Sequence, residues 1–183
     1  MIKALILLAE GFEETEAVTV IDLLRRSDIH VTVAGLTSLR VTGSHGISIV
    51  ADTLFDEVEK LDFSHLILPG GQPGTNNLKN DNRVLELVKR FQKEERILAA
   101  ICAAPTVLLK AGVIDSVKIT SFPGEKENFN PLNYSEQSVV WDGKFITSRG
   151  VGTAIDFALN IVAQIKGTEE AEILAKRIVW KFE

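Results

Sequence analysis

Short aliphatic runs alternate with amphipathic helical stripes along this chain, and this alternation restricts its fold more than any other feature. The runs are apolar on both faces, which is typical of strands buried inside a parallel sheet. They are residues 2–9, 29–35, 65–69 and 97–101. The helix-like segments are residues 14–26, 82–91 (with Asp81 as N-cap), 103–111 (closed by Gly112), 153–165 and 168–179. Strands that alternate with helices form βαβ units, so the sequence predicts an α/β fold with a mostly parallel sheet and helices on both faces.

Two stretches predict β-hairpins. Residues 40–52 alternate around Gly43-Ser44-His45-Gly46, and two short apolar runs, 139–141 and 144–148, flank the turn signal Asp142-Gly143. Residues 117–121 predict one more strand, and the polar, breaker-rich residues 124–131 predict a surface loop. Because no repeat, linker or low-complexity stretch interrupts the 183 residues, we expect a single domain over 1–183.

Charge and cysteine content narrow the functional classes. The net charge is −5 and no Lys/Arg run exceeds two residues, so nothing indicates a nucleic-acid partner. The first apolar run is too short to cross a membrane. We find no zinc-type Cys/His spacing, P-loop or Gly-x-Gly-x-x-Gly, and expect no metal or other cofactor. One cysteine and no recognisable secretory leader predict a cytoplasmic protein.

Three segments follow predicted buried strands and should meet at one edge of the sheet. They are residues 10–16, 70–74 and 102–105. In parallel α/β sheets, ligands bind beyond the carboxyl ends of the strands. The candidate functional residues are therefore sought in these three segments.

Cys102 is the strongest candidate for a reactive group. It lies between a strand and a helix, in the small-residue context Ala99-Ala100-Ile101-Cys102-Ala103-Ala104 that a sharp nucleophile elbow requires. The helix N-terminus predicts a lowered thiol pKa. The alternative is that Cys102 is a small buried hydrophobic residue.

The other two segments supply a backbone turn and several carboxylates. Gly70-Gly71 lets the chain approach closely and direct an N–H at an oxyanion, although a tight strand exit also favours glycine. Four glutamates, Glu10, Glu13, Glu14 and Glu16, cluster around the start of the first helix, where carboxylates are favoured in any case. Glu16 borders the apolar stripe of the helix, so its side chain is the one that could point inward. Burial would then raise its pKa and suit it to act as a proton shuttle.

The three histidines offer less. His30 and His65 are expected to be structural or solvated, whereas His45 lies in a glycine-flanked hairpin and could reach a site. The residue after Cys102 is Ala103, so the adjacent Cys-His dyad of one type of cysteine peptidase is absent.

Four motifs in order make the chain resemble the DJ-1/ThiJ/PfpI superfamily, and most closely its DJ-1/ThiJ branch. They are Leu-Leu-Ala-Glu-Gly-Phe-Glu-Glu-Thr-Glu-Ala at 7–17, Leu-Pro-Gly-Gly at 68–71, Ala-Ala-Ile-Cys-Ala-Ala-Pro at 99–105 and Thr-Ser-Arg-Gly-Val-Gly-Thr at 147–153. The resemblance extends nearly end to end. It implies a flavodoxin-like three-layer sandwich that forms a homodimer.

The resemblance also implies roles for particular residues. Cys102 corresponds to a cysteine on a strained elbow, Glu16 to a glutamate that hydrogen-bonds it, and Gly71 and Ala103 to backbone amides near the thiol. His45 falls where relatives often carry an arginine that reaches the partner's site, and Arg26 matches a basic residue near the dimer interface. Phe122 replaces the histidine that precedes a proline near the pocket in animal members.

Relatives of this kind are described as cofactor-free glyoxalases, deglycases, redox-responsive chaperones and thiazole-phosphate biosynthesis proteins. The resemblance thus implies a cysteine-dependent glyoxalase or deglycase that acts on reactive dicarbonyls or their adducts on proteins and nucleotides. The alternative is a redox-responsive stress protein or chaperone with an oxidisable cysteine. A peptidase or a thiazole-phosphate biosynthesis role ranks below both.

Overall fold

The computed structural model describes residues 3–58 and 62–180. Its strands, in chain order, are β1 (Lys3–Leu8), β2 (His30–Gly35), β3 (Arg40–Thr42), β4 (Ser48–Val50), β5 (Thr53–Leu54), β6 (His65–Leu68), β7 (Ile97–Ile101), β8 (Val139–Asp142) and β9 (Phe145–Ser148). Its helices are α1 (Glu14–Arg26), α2 (Phe55–Val58), α3 (Gly74–Asn80), α4 (Asn82–Lys93), α5 (Pro105–Ala111), α6 (Ala154–Lys166) and α7 (Thr168–Arg177). Short 3-10 helices cover Pro123–Asn128 and Val151–Thr153.

The central sheet is mostly parallel, as predicted. Within the described residues it has seven strands in the order β5-β2-β1-β6-β7-β9-β8. Every pair is parallel except β8–β9, which forms the hairpin predicted at Asp142-Gly143. The hairpin β3–β4 is separate from this sheet. The carboxyl ends of β1, β6 and β7 therefore meet at one edge, where the candidate segments begin.

Helices cover both faces of the sheet, which confirms the predicted flavodoxin-like three-layer sandwich. Alternate residues of β1 belong to two hydrophobic clusters, Ile6 with α1, α6 and α7 on one side and Leu7 with α4 and α5 on the other. The central strands β6 and β7 are buried along their whole length. This two-sided burial explains why their sequences are almost continuously aliphatic.

Several predicted boundaries are confirmed. Helix α1 has the predicted bounds, and the Asp81 side chain caps α4 by accepting a hydrogen bond from the Arg83 N–H. Gly112 ends α5 in the left-handed conformation, with φ 72°. The first predicted strand is observed from Lys3, and its residue 2 lies outside the described residues.

The predicted strand at 117–121 is wrong. Only an isolated bridge joins Ile119 to Tyr134. The nearby edge of β9 is already occupied by β8. The Lys118 N–H donates to the Asp142 side chain and the Thr120 N–H to the Thr147 side chain, so neither forms the backbone hydrogen bonds of a strand. The predicted loop at 124–131 is exposed for most of its length but includes a 3-10 helix. The sequence did not predict α2, α3 or β5.

Among the residues described, no helix combines the length and apolarity needed to cross a membrane.

Candidate active site

Cys102 lies on a sharp elbow at the end of β7. Its φ is +64°, in the left-handed region that a residue with a side chain rarely adopts. Two backbone hydrogen bonds hold this conformation, from the Cys102 N–H to Ser148 O at 3.0 Å and from the Phe122 N–H to Cys102 O at 2.8 Å. A strained backbone that its surroundings over-determine is typical of functional sites. The elbow predicted from the small-residue run is present.

Gly70 brings the turn after β6 against this elbow. A Cβ at position 70 would lie 2.5 Å from Cys102 Cβ and 2.7 Å from Glu16 Oε2. Its N–H donates to Glu16 Oε2 at 2.9 Å. Gly71 follows with φ +91°, which also requires glycine. Gly70 thus allows Cys102 and Glu16 to approach each other, whereas Gly71 allows the turn to pack against the backbone of residues 11–13.

Glu16 points inward from the first turn of α1 and is completely buried. The Glu16 Oε2 atom accepts a hydrogen bond from the Gly70 N–H. The Oε1 atom has no hydrogen bond of regular geometry to the described residues. The carboxyl also interacts with the Cys102 thiol. Burial raises the pKa of Glu16 to about 7; the Gly70 N–H and the thiol oppose this, and the charge of Glu13 adds to it. Glu16 therefore has the burial and the raised pKa expected for a proton shuttle.

The Cys102 thiol differs from the prediction. Burial, the charge of Glu16 and the interaction of the thiol with the Glu16 carboxyl raise the pKa of Cys102 to about 12, and the N–H groups of Gly71 and Ala103 offset only part of this. The expected lowering by a helix N-terminus is wrong, because α5 begins at Pro105, beyond the elbow, while a carboxylate lies beside the sulfur. With Glu16 ionised, the resting sulfur is a thiol, and the neighbouring carboxylate is the group that can take its proton.

A cavity of about 510 Å³ opens onto this pair. Its lining residues are Glu13, Glu16, Cys102, Phe122, Pro123, Glu136, Ser138, Arg149, Gly150, Val151, Gly152 and Thr153. The Phe122 side chain is 48% exposed and forms part of the wall. Cys102 is half-buried and lines the cavity, so it borders the space that a small molecule would occupy.

Two basic residues from the sequence analysis do not line this cavity. The His45 side chain is 72% exposed, and its Nδ1 lies 3.0 Å from Glu14 Oε2. Arg26, at the end of α1, pairs with Asp22 at 2.7 Å and borders a different groove. Within one chain, neither meets the thiol. His65 is structural, with its ring bonded to Ser64 and Gln164.

Glu14 anchors the hairpin β3–β4 to α1. Its Oε1 accepts the N–H groups of His45 at 2.7 Å and Ile47 at 3.3 Å, and its Oε2 faces the His45 ring. Burial would raise the pKa of Glu14, but hydrogen bonds from the His45 ring and from backbone N–H groups lower it to about 2. Glu13, Glu14 and His45 form the one group in the described part of the chain whose three possible metal-ligand atoms lie within 4.8 Å of one another. Both oxygens of Glu14 are already bound by the hairpin, so the cluster serves as an anchor.

Sequence reasoning did not assign Glu13, Arg149 or Gly150 to the site. The Thr153 hydroxyl holds the backbone of 149–150, accepting from the Arg149 N–H at 3.2 Å and the Gly150 N–H at 3.1 Å. A Cβ on Gly150 would lie 3.9 Å from Cys102 Sγ. The signal was present in the motif at 147–153, but nothing local to that motif relates it to a cysteine 45 residues earlier.

Comparisons of the sequence and of the structure with known proteins lead to the same family. Residues 2–164 match the model of the DJ-1/PfpI family. The chain is 42% identical to Protein DJ-1alpha of Drosophila melanogaster, over 98% of this chain and 85% of that protein. It is 36% identical to the glutathione-independent glyoxalase DJR-1.2 of Caenorhabditis elegans, over 95% and 94% respectively. The structure superposes on oxidized Toxoplasma gondii DJ-1 with a TM-score of 0.96 and 30% identity, covering 100% of both chains.

Proposed function

Because this chain belongs to the DJ-1/PfpI family, we propose that it is a cofactor-free, cysteine-dependent glyoxalase-type enzyme acting on small reactive dicarbonyls. The observation that carries the proposal is the contact between a half-buried thiol on a strained elbow and a buried carboxyl whose pKa is about 7. A general base is most effective when its pKa lies near the working pH. The relative named as a glutathione-independent glyoxalase supports this class of reaction.

In the first step, the sulfur of Cys102 attacks the aldehyde carbon of methylglyoxal. A C–S bond forms, the Glu16 carboxylate takes the thiol proton, and the carbonyl π electrons move to oxygen. The N–H groups of Gly71 and Ala103 interact with the sulfur and therefore lie beside the developing oxyanion. Glu16 then returns the proton to that oxygen, which gives a neutral hemithioacetal.

In the second step, Glu16 removes the hydrogen of the hemithioacetal carbon as a proton. An enediol forms, and return of a proton to the neighbouring carbon gives a 2-hydroxyacyl thioester. Water then cleaves the C–S bond, releasing lactate and restoring the thiol. The overall change is addition of one water to methylglyoxal, with one carbon oxidised and its neighbour reduced, so no external oxidant is required.

The same chemistry extends to adducts of dicarbonyls with amines or thiols. The cavity of about 510 Å³ is much larger than methylglyoxal and opens to the surface. We propose that it also admits a dicarbonyl bound to a protein or nucleotide group, with the amine or thiol as leaving group when Cys102 attacks. This activity is the deglycase form of the proposal.

Turnover of methylglyoxal by purified protein tests the proposal. We expect D- or L-lactate to form with the wild type, and Cys102→Ser and Glu16→Gln each to lose at least about 100-fold in kcat/KM. Leu132→Ser is a control, because Leu132 is 89% exposed and lies outside the cavity. Equal rates for the wild type and Cys102→Ser would end the proposal.

A redox role is the second candidate, favoured by the similarity to a DJ-1 described as oxidized. Oxidation of Cys102 by peroxide would give a sulfenic and then a sulfinic acid. A protonated Glu16 would donate a hydrogen bond to the sulfinate. Mass spectrometry of Cys102 after graded peroxide treatment tests the redox role. If Cys102 stays reduced while the protein still converts dicarbonyl, only the enzymatic role remains.

We also propose a homodimer, located in the cytoplasm. Val18, Ile47 and Val50 are 48%, 60% and 73% exposed. Val18 lies one turn after Glu14 on α1, and Glu14 accepts a hydrogen bond from the Ile47 N–H, so the Val18 turn of α1 and the hairpin lie next to each other. Arg26 borders a groove on the same helix.

An unpaired cysteine suits a reducing compartment, and fractionation of cells tests the location.

A further inference from the structure

Glu13 and Glu16 are fixed to each other both directly and through Gly70. The Gly70 N–H donates to Glu16 Oε2 at 2.9 Å, and Gly70 O accepts from the Glu13 N–H at 2.8 Å. Glu13 Oε2 in turn accepts from the Glu16 N–H at 2.7 Å, as the N-cap of α1. Three hydrogen bonds therefore hold the two side chains at the same corner of the cavity.

The Glu13 carboxylate is poorly neutralised. It is buried, and among the described residues the one cationic group within 4.0 Å is the His45 ring, whose Nδ1 lies 4.0 Å from Glu13 Oε1. That ring is exposed and binds Glu14 more closely. A buried negative charge with weak compensation acts strongly on an acid beside it.

We propose that Glu13 is a positioning residue that sets the proton affinity of Glu16 and thereby the ease with which Cys102 loses its proton. The second half rests on the proposed function, where Glu16 is the base for the thiol. Glu13 itself does not touch the sulfur. It acts through charge and through the cap that orients the first turn of α1.

The other charged groups around Glu16 leave this role to Glu13. Cys102 faces Glu16 from the turn after β7, and the interaction of its thiol with the carboxyl lowers the pKa of Glu16. Glu14 lies on the same turn, but the hairpin occupies both of its oxygens. Arg149 and Glu136 line the cavity wall, where the Arg149 guanidinium donates to Glu136 O at 2.8 Å. Among the described residues, the charge of Glu13 is the one influence besides burial that raises the pKa of Glu16.

Titration of the Glu16 carboxyl carbon in ¹³C-glutamate-labelled protein tests the inference, with the resonance assigned by its loss in Glu16→Gln. Glu13→Gln keeps an oxygen for the cap and removes the charge, so we expect the Glu16 midpoint to fall by about one pH unit. Glu13→Ser provides a second uncharged cap if the first variant does not fold. Glu13→Asp, which keeps the charge, should stay near the wild type.

Glu10→Gln is the matched control, because Glu10 is an exposed carboxylate at the same end of the sheet but outside the cavity. An unchanged Glu16 midpoint in Glu13→Gln and Glu13→Ser would overturn the inference, as would an equal shift in Glu10→Gln or Glu13→Asp. In the active enzyme, the acid limb of kcat/KM should move with the Glu16 midpoint. A wild type without turnover would defeat the proposed function, while the titration would still decide the role of Glu13.

Discussion

At the scale of single residues, Gly70 decides whether the thiol and the carboxyl can approach each other. An alanine methyl there would overlap Cys102 Cβ at 2.5 Å and Glu16 Oε2 at 2.7 Å. We predict that Gly70→Ala lowers kcat/KM for methylglyoxal at least about 100-fold, since displacements of about 1 Å cost this much. Gly143→Ala is the control: φ there is +57°, nothing lies within 4 Å of the new Cβ, and we expect lower stability by about 1 kcal/mol with full activity. Similar rates for Gly70→Ala and the wild type would contradict this.

Glu16 should make the protein less stable as the pH rises. Its pKa is about 7 in the folded state against 4.5 for an unperturbed glutamate, so its contribution to stability is complete below pH 4.5 and is lost as the pH rises through 7. We predict that the free energy of unfolding of Glu16→Gln exceeds that of the wild type by about 3 kcal/mol at pH 9, a difference absent at pH 4. Urea unfolding at both pH values measures it. A constant difference would mean that Glu16 titrates normally.

At the scale of elements, the attachment of the hairpin β3–β4 depends on one carboxylate. Glu14 has a pKa of about 2, lowered by the hairpin's donors against its burial, so its contribution is present above pH 4.5 and is lost as the pH falls towards 2. In Glu14→Gln, we expect about tenfold faster amide exchange of His45 and Ile47, with exchange elsewhere unchanged. Exchange in this variant should also lack the acid dependence that we expect in the wild type as the pH falls towards 2. Unaltered protection of these two amides would refute the anchor.

Sequence reasoning predicted this hairpin but not its anchor. Alternation around Gly43-Ser44-His45-Gly46 is local, so it reveals the turn. The bonds to Glu14 join residues about 30 positions apart and exist only after α1 and the hairpin pack together. The exposure of His45 and its bond to Glu14 could not be predicted either, because they are not local properties of the sequence. That His45 reaches the partner's site stays a prediction.

At the scale of the whole molecule, the exposed apolar face of α1 and the hairpin predicts association. We expect the wild type to sediment as a dimer of 20.1 kDa chains at micromolar concentration. Ile47→Asp should shift it towards monomer, because a desolvated charge in an interface is costly. Leu132→Asp, at an exposed residue outside α1 and the hairpin, should leave the dimer unchanged. A monomeric wild type would refute the interface.

The layered architecture was predictable because buried parallel strands are aliphatic on both faces. Apart from Lys3 and His65, the first residues of β1 and β6, every residue of β1, β6 and β7 is buried and aliphatic. The strand predicted at 117–121 failed for the opposite reason, since Ile119 lies in a strand-like sequence but β8 occupies the sheet position beside β9.

The positions of Cys102, Glu16 and Gly70 followed from the rule that ligand sites lie at the carboxyl edge of the sheet. The thiol pKa did not, because it depends on a carboxylate 86 residues away.

Alkylation of Cys102 by iodoacetamide across pH shows whether Glu16 takes the proton of Cys102. In the wild type, we predict that the rate rises with an apparent pKa near 7, the value for Glu16. In Glu16→Gln, this limb should disappear and the rate should rise only above the 9.0 of an unperturbed thiol, because the sulfur remains buried without a base. Profiles that superimpose for the two proteins would contradict the account.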